Sequence, residues 1–143
     1  MTIHVRFQQT FPLRVSEWFG AGAMATWGMI VLTHPGMFDG NVFQGLAGLA
    51  PQRLWGWAAT ISGLIGWTAL AINGALRRTP HVRALCAMLR SAIWLQITVG
   101  MMLSGQVTTG LAMYPWALAL DTYNIFRAAA DAGQSDQSAK ARG

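Results

Sequence analysis

The sequence predicts an all-α fold: an integral membrane four-helix bundle with both termini on the cytoplasmic side, N-in and C-in. Three observations carry that expectation. Only 10% of the 143 residues are charged, against about 25% in an ordinary soluble domain. The charges are missing from three long stretches, Trp18 to Phe38, Leu54 to Leu76 and Ser91 to Leu120, which span 21, 23 and 30 residues. Uncharged apolar runs of roughly 18 or more are the signature of a spanning helix. Finally, threading the chain across a bilayer four times puts nine of the ten bases on one side: Arg6, Arg14, Arg77, Arg78, Arg83, Arg90, Arg127, Lys140 and Arg142, leaving Arg53 opposite. The positive-inside rule makes the basic side cytoplasmic, and the location an inner or plasma membrane. This composition excludes a soluble enzyme and a disordered tail protein, and the length suits one domain.

Residues 1–17 are expected to form a cytoplasmic segment. Its alternation of Ile3, Val5 and Phe7 with polar residues fits either a surface-lying stretch or an irregular start. The first span covers 18–34 and stops before Pro35, because the residue preceding a proline is pushed away from the helical state. No apolar stretch of about 7–15 residues precedes the small triplet Ala21-Gly22-Ala23, so the span is expected to be retained rather than cleaved as a signal. Residues 35–41 read as turn, and Gln44 to Leu49 as a short interfacial piece. The second span, 52–76, follows Pro51 in the first-turn position, and Trp55 and Trp57 suit the headgroup level. At about 1.5 Å per residue it reaches across a hydrocarbon layer of about 30 Å.

The third uncharged run is too long for one span and too short for two. A polar turn at 104–110 divides it, so both helices must extend beyond its charged borders. The third span becomes 80–104, with Thr79 as N-cap and Pro80 at the first helical position, and the fourth 110–130, with Pro115 either in its first turns or kinking it. The tail 131–143 is polar and expected to be disordered. The two hairpins share no internal repeat, which weighs against a repeat-built transporter.

Folding the last two spans about Gly105 and Gln106 sets Arg90 opposite Asp121. Asn124 shares a helix face with Asp121, and Glu17 and Asn73 come to a similar level. This intramembrane polar layer reads as a proton or ion relay, as a ligand counter-ion, or more simply as pairing that holds helices together, since an unpaired charge at that depth costs a few kcal/mol. Arg77, Arg78 and Arg83 form a compact basic loop suited to lipid headgroups. Small residues at four-residue spacing, Ala21/Ala25, Ala59/Gly63 and Ser62/Gly66, suit close helix packing or self-association. Cys86 stands alone, and His34 and His81 fall at opposite ends of their spans, so neither a thiolate metal site nor a bis-histidine haem is expected. No catalytic group, cofactor, metal, nucleic-acid partner or small-molecule substrate is indicated. The expected partners are the lipid bilayer and a further copy of the chain.

The combination Leu32-Thr33-His34-Pro35 then Phe38, Leu54-Trp55-Gly56, Asn73-Gly74 before Arg77 and Thr79-Pro80, and Tyr114-Pro115 followed by Asp121-Thr122-Tyr123-Asn124-Ile125-Phe126-Arg127 and on to Asp131 resembles small four-span membrane proteins of tailed-phage and prophage genomes. The resemblance covers about residues 16–132. It implies a non-enzymatic protein with an accessory role at the host membrane and carries over no functional residue. A holin-like membrane-permeabilising protein is the main alternative, favoured by small size and several spans. A small transporter or a membrane anchor for a soluble partner is a third.

Overall fold

A computed structural model describes residues 14–75 and 80–140. Four long helices and one short one follow in order: α1 Val15–Thr33, a 3-10 turn Asn41–Phe43, α2 Gln44–Ala47, α3 Gln52–Ala75, α4 Pro80–Leu103 and α5 Gly110–Lys140. There is no strand among the described residues. The fold is therefore all-α. Helix α1 packs chiefly on α3 and α4 on α5, so two helix pairs make up the bundle. Two helices are long and apolar enough to cross a membrane, over Gln52–Ile72 of α3 and His81–Leu103 of α4.

Backbone proximity explains why α1 and α3 pair. A Cβ at Gly63 would lie 2.5 Å from Ala25 N and 2.6 Å from Ala21 O, and one at Gly28 would lie 2.5 Å from Thr60 N. Small residues at helical spacing on both partners let the two backbones meet. Helix α1 ends at Thr33, where the Thr33 hydroxyl donates to Met29 O at 2.8 Å, and Gly36 takes the turn beyond Pro35 with φ 81°, a conformation open to glycine at little cost. Pro115 lies within α5 without interrupting it.

The segment joining α1 to α3 departs from the interfacial piece expected. Phe38, Phe43 and Leu46 are buried with Met24, Trp27, Val31, Trp94, Ile97 and Met101 in one apolar core. Phe38 and Phe43 stack at 5.1 Å, and a Cβ at Gly45 would lie 2.9 Å from Gly100 Cα. The connection thus tucks its apolar side chains against α4, because two facing glycines admit it. Gln52 fastens it: its amide donates to Val31 O at 2.7 Å and His34 O at 2.8 Å, and accepts from Phe38 N at 3.2 Å.

The C-terminal tail also differs. Helix α5 continues to Lys140 instead of giving way to disorder at 131. Asp131 is ion-paired to Arg83 at 2.9 Å, and Ala128 and Ala132 are buried, so packing holds the helix at least to Ala132. Segments 1–13 and 141–143 lie outside the described residues.

The α1–α3 seam yields a direct test. Gly63→Ala sets a methyl against two backbone atoms that cannot yield, and should cost about 1–3 kcal/mol. Gly133→Ala meets nothing within 4 Å and should be neutral or stabilising by up to about 1 kcal/mol. Thermal unfolding followed by circular dichroism separates the two.

Candidate functional site

The polar residues singled out in the sequence converge at the end of the bundle where α1 and α4 begin. Arg90 Nε lies 3.1 Å from both Asp121 carboxylate oxygens, and Arg90 Nη2 lies 2.8 Å from Oδ1. The pair is buried, with Asp121 at 0% exposure. It is seated between the other two long helices: a Cβ at Gly20 of α1 would lie 2.6 Å from Asp121 Oδ1, and one at Gly66 of α3 would lie 2.7 Å from Arg90 Nη1. All four long helices therefore meet at one ion pair.

Asn124 sits one turn along α5. Its amide donates to Asp121 Oδ1 at 3.3 Å and to Ser16 O at 3.3 Å, while its own Oδ1 accepts from the Ser16 hydroxyl at 2.8 Å. This side chain ties the start of α1 to α5 and supplies one of the donors that the buried carboxylate needs.

A second ion group lies two turns closer to the start of α4. Arg83 donates from Nε to Glu17 Oε2 at 2.7 Å and from Nη2 to Glu17 Oε1, and from Nη1 to Asp131 Oδ2 at 2.9 Å. A guanidinium presents its donors in a planar fork, and here the fork spans α1, α4 and α5. Arg14 stands beside this group. Burial, together with the neighbouring Arg83, pushes its guanidinium below the ordinary value, against the opposing pull of Glu17 and Asp131.

Arg83 corrects the headgroup assignment. It is buried at 3% exposure, because in the first turn of α4 its side chain faces Glu17 and Asp131 rather than the surface. Arg77 and Arg78 lie outside the described residues, as does the side chain of Asn73. Glu17 belongs to the layer but partners Arg83, not the Arg90–Asp121 pair. Sequence reasoning missed Ser16, Asp131 and Arg14 as members. Position on the predicted helix edge, beside Glu17, was the one available signal for the first and last.

Aromatic side chains close the layer on its other side. Trp94, one turn beyond Arg90, stacks on Tyr114 at 5.7 Å and meets Trp27 edge-on at 6.3 Å, while Trp27 Nε1 donates to the Tyr114 hydroxyl at 3.3 Å. Trp27 and Trp94 belong to the apolar core, which therefore begins one turn beyond Arg90. Arg14, Arg83 and Arg90 balance Glu17, Asp121 and Asp131, three of the five acids in the chain. Chemically, Arg83 and Arg90 are spent on Glu17, Asp131 and Asp121, while Arg14 Nη1 is buried with no hydrogen-bond partner among the described residues. No group of three or more His, Cys, Asp or Glu able to hold a metal occurs among the described residues.

Fold and site together define a class, an all-helical bundle whose helices are joined by an internal ion-pair layer. Comparison with protein-family models, curated proteins and solved structures returned no match.

Removing one member of a buried pair strands the other, typically at about 3–5 kcal/mol. Asp121→Ala should therefore lower stability and accumulation far more than Asp39→Ala, whose carboxylate is exposed. Exchanging the two residues, Arg90→Asp with Asp121→Arg, should recover part of the loss. Equal levels for both alanine variants, measured by quantitative immunoblotting, would argue against the pairing as a structural requirement.

Proposed function

We propose that the chain is a non-enzymatic, four-span inner-membrane protein with both termini cytoplasmic, of phage or prophage origin and with an accessory role at the host membrane. One observation carries the membrane part of this reading: polarity is reversed between inside and outside. Four ionic groups, Glu17, Arg83, Arg90 and Asp121, are buried at one end of the bundle, while large apolar side chains stand on the outside of every long helix. Phe19 of α1 is 67% exposed and Trp116 of α5 75%, and Ile61, Ile65, Leu85 and Leu89 are exposed on α3 and α4. Such an exterior suits hydrocarbon, and charges inside a bilayer are expected to face the bundle interior and pair. Among the described residues only α3 and α4 are apolar enough by themselves to cross; α1 carries Glu17, and α5 carries Asp121, Arg127, Asp131, Asp136 and Lys140. Three of those six charges, Glu17, Asp121 and Asp131, are ion-paired to arginines of α4, which lowers the cost of α1 and α5 crossing alongside the other two.

The orientation rests on the distribution of bases, and the phage origin on the resemblance in sequence. A compact bundle with its charges neutralised inside favours an accessory protein over a pore with a hydrophilic face.

Expression in bacteria tests each part. The protein should stay with the membrane through carbonate extraction. A reporter fused at residue 143 should be active only when of a kind that works inside the cell. Growth and membrane potential should stay steady, and the accessory role predicts altered infection by a competing phage. Abrupt loss of potential with release of a co-expressed endolysin would replace this reading with the holin one. Extraction by carbonate would remove the membrane reading itself.

A further inference from the structure

An apolar groove of about 430 Å³ runs between α3 and α4, lined among others by Trp55, Ala58, Ser62, Leu89, Ala92 and Gln96. It opens along the two helices that are long and apolar enough to cross a membrane. Small side chains at 58, 62 and 92 keep its floor low, so another helix can approach closely. Gln96 is the exception to its character. This side chain is exposed, and no hydrogen bond to it occurs among the described residues, in contrast to Ser62, whose hydroxyl donates to Ala59 O at 3.0 Å.

We infer that this groove is the interface with a second copy of the chain, joined by Gln96 from each copy. The inference rests on the membrane reading. Gln96 lies seven residues from the end of α4, which puts it about 10 Å inside the bilayer boundary. Water is scarce there, and an acyl chain settling into the groove would cover the apolar walls but offer the amide nothing. A carboxamide carries both donors and an acceptor, so it is complementary to another of its own kind.

Geometry then selects the symmetry. Copies inserted in one orientation that pair as a closed symmetric dimer are related by a two-fold axis along the membrane normal, and that axis returns each residue to its own depth. Gln96 of one copy therefore meets Gln96 of the other without any further adjustment. A two-fold contact of this type is closed and self-complementary, the commonest arrangement of identical subunits. The small residues on the α1–α3 seam are already occupied within the subunit, Gly63 against Ala25 and Gly28 against Thr60, whereas those of the α3–α4 groove at 58 and 92 are exposed.

Disulfide trapping in native membranes is the test. In a Cys86→Ser background, Ala92→Cys should give an oxidant-dependent dimer, and Met113→Cys, exposed on α5 outside the groove, should not. Gln96→Leu should weaken dimerisation about 3- to 30-fold, as measured by energy transfer between labelled copies in vesicles at several protein-to-lipid ratios. Gln96→Asn, which keeps the amide, should retain most of it. A membrane-embedded protein that stays monomeric, or that crosslinks equally from both cysteines, overturns the dimer and leaves the four-span reading standing. So does a Gln96→Leu variant that associates like the parent. Release of the protein by carbonate would overturn both.

Discussion

The Arg90–Asp121 pair is the contact on which the rest of the bundle depends, because it is the point where all four long helices touch. Arg90 and Asp121 come from the α4–α5 hairpin, and the α1–α3 pair closes over them through Gly20 and Gly66, where a Cβ would collide with the ionic groups. Besides these charges, only the Ser16–Asn124 hydrogen bonds help at this level to specify how one helix pair sits on the other. A buried ion pair is a poor source of net stability, since desolvation offsets most of its attraction. Its value lies in register: sliding either pair by one turn would strand a charge and drive it against a helix backbone.

Register at the opposite end is fixed by other means. There the connection between α1 and α3 folds inward, and Phe38, Phe43 and Leu46 fill the space that the ion layer occupies at the first end. Apolar packing is tolerant of small shifts, but Gln52 is not, because its single amide satisfies carbonyls at the end of α1 and an N–H of the connection. The orphan carbonyls of a helix terminus need such partners. One end of the bundle is thus set by charges between helices, the other by a side-chain amide within a loop, and the Trp27–Trp94–Tyr114 group separates them.

How much of this could be read from the sequence follows from how local each feature is. Helix identities and their limits came from uncharged runs, prolines and glycines, all short-range signals, and the facing of Arg90 and Asp121 followed from the geometry of one tight hairpin. The Glu17–Arg83 and Ser16–Asn124 contacts join residues 66 and 108 positions apart. They depend on which faces of α1, α4 and α5 meet, and no local pattern encodes that. Arg83 looked like a loop base because its neighbours Arg77 and Arg78 are bases, yet a helix face, not sequence proximity, decides where a side chain points. The end of α5 was misjudged for the same reason: polarity there signalled solvent, whereas Asp131 is polar because Arg83 requires it.

Burial of these arginines also alters what the positive charge can mean. Three of the nine bases that define the cytoplasmic side in the proposed topology, Arg14, Arg83 and Arg90, lie in the ion layer, where Arg83 and Arg90 are paired with acids. Six remain against Arg53, so the asymmetry outlasts the correction. In the proposed topology the order of events would give the same result, since orientation is set by bases near the ends of spans as they insert, before the acids of α5 would arrive. Arg83 and Arg90 would then act twice, first as topological signals while α4 is alone in the membrane and then, once α5 is in place, as partners of Asp131 and Asp121. In that topology a charge placed for insertion would be a liability inside the bilayer unless a later helix brought its counter-ion, as α5 does at both positions.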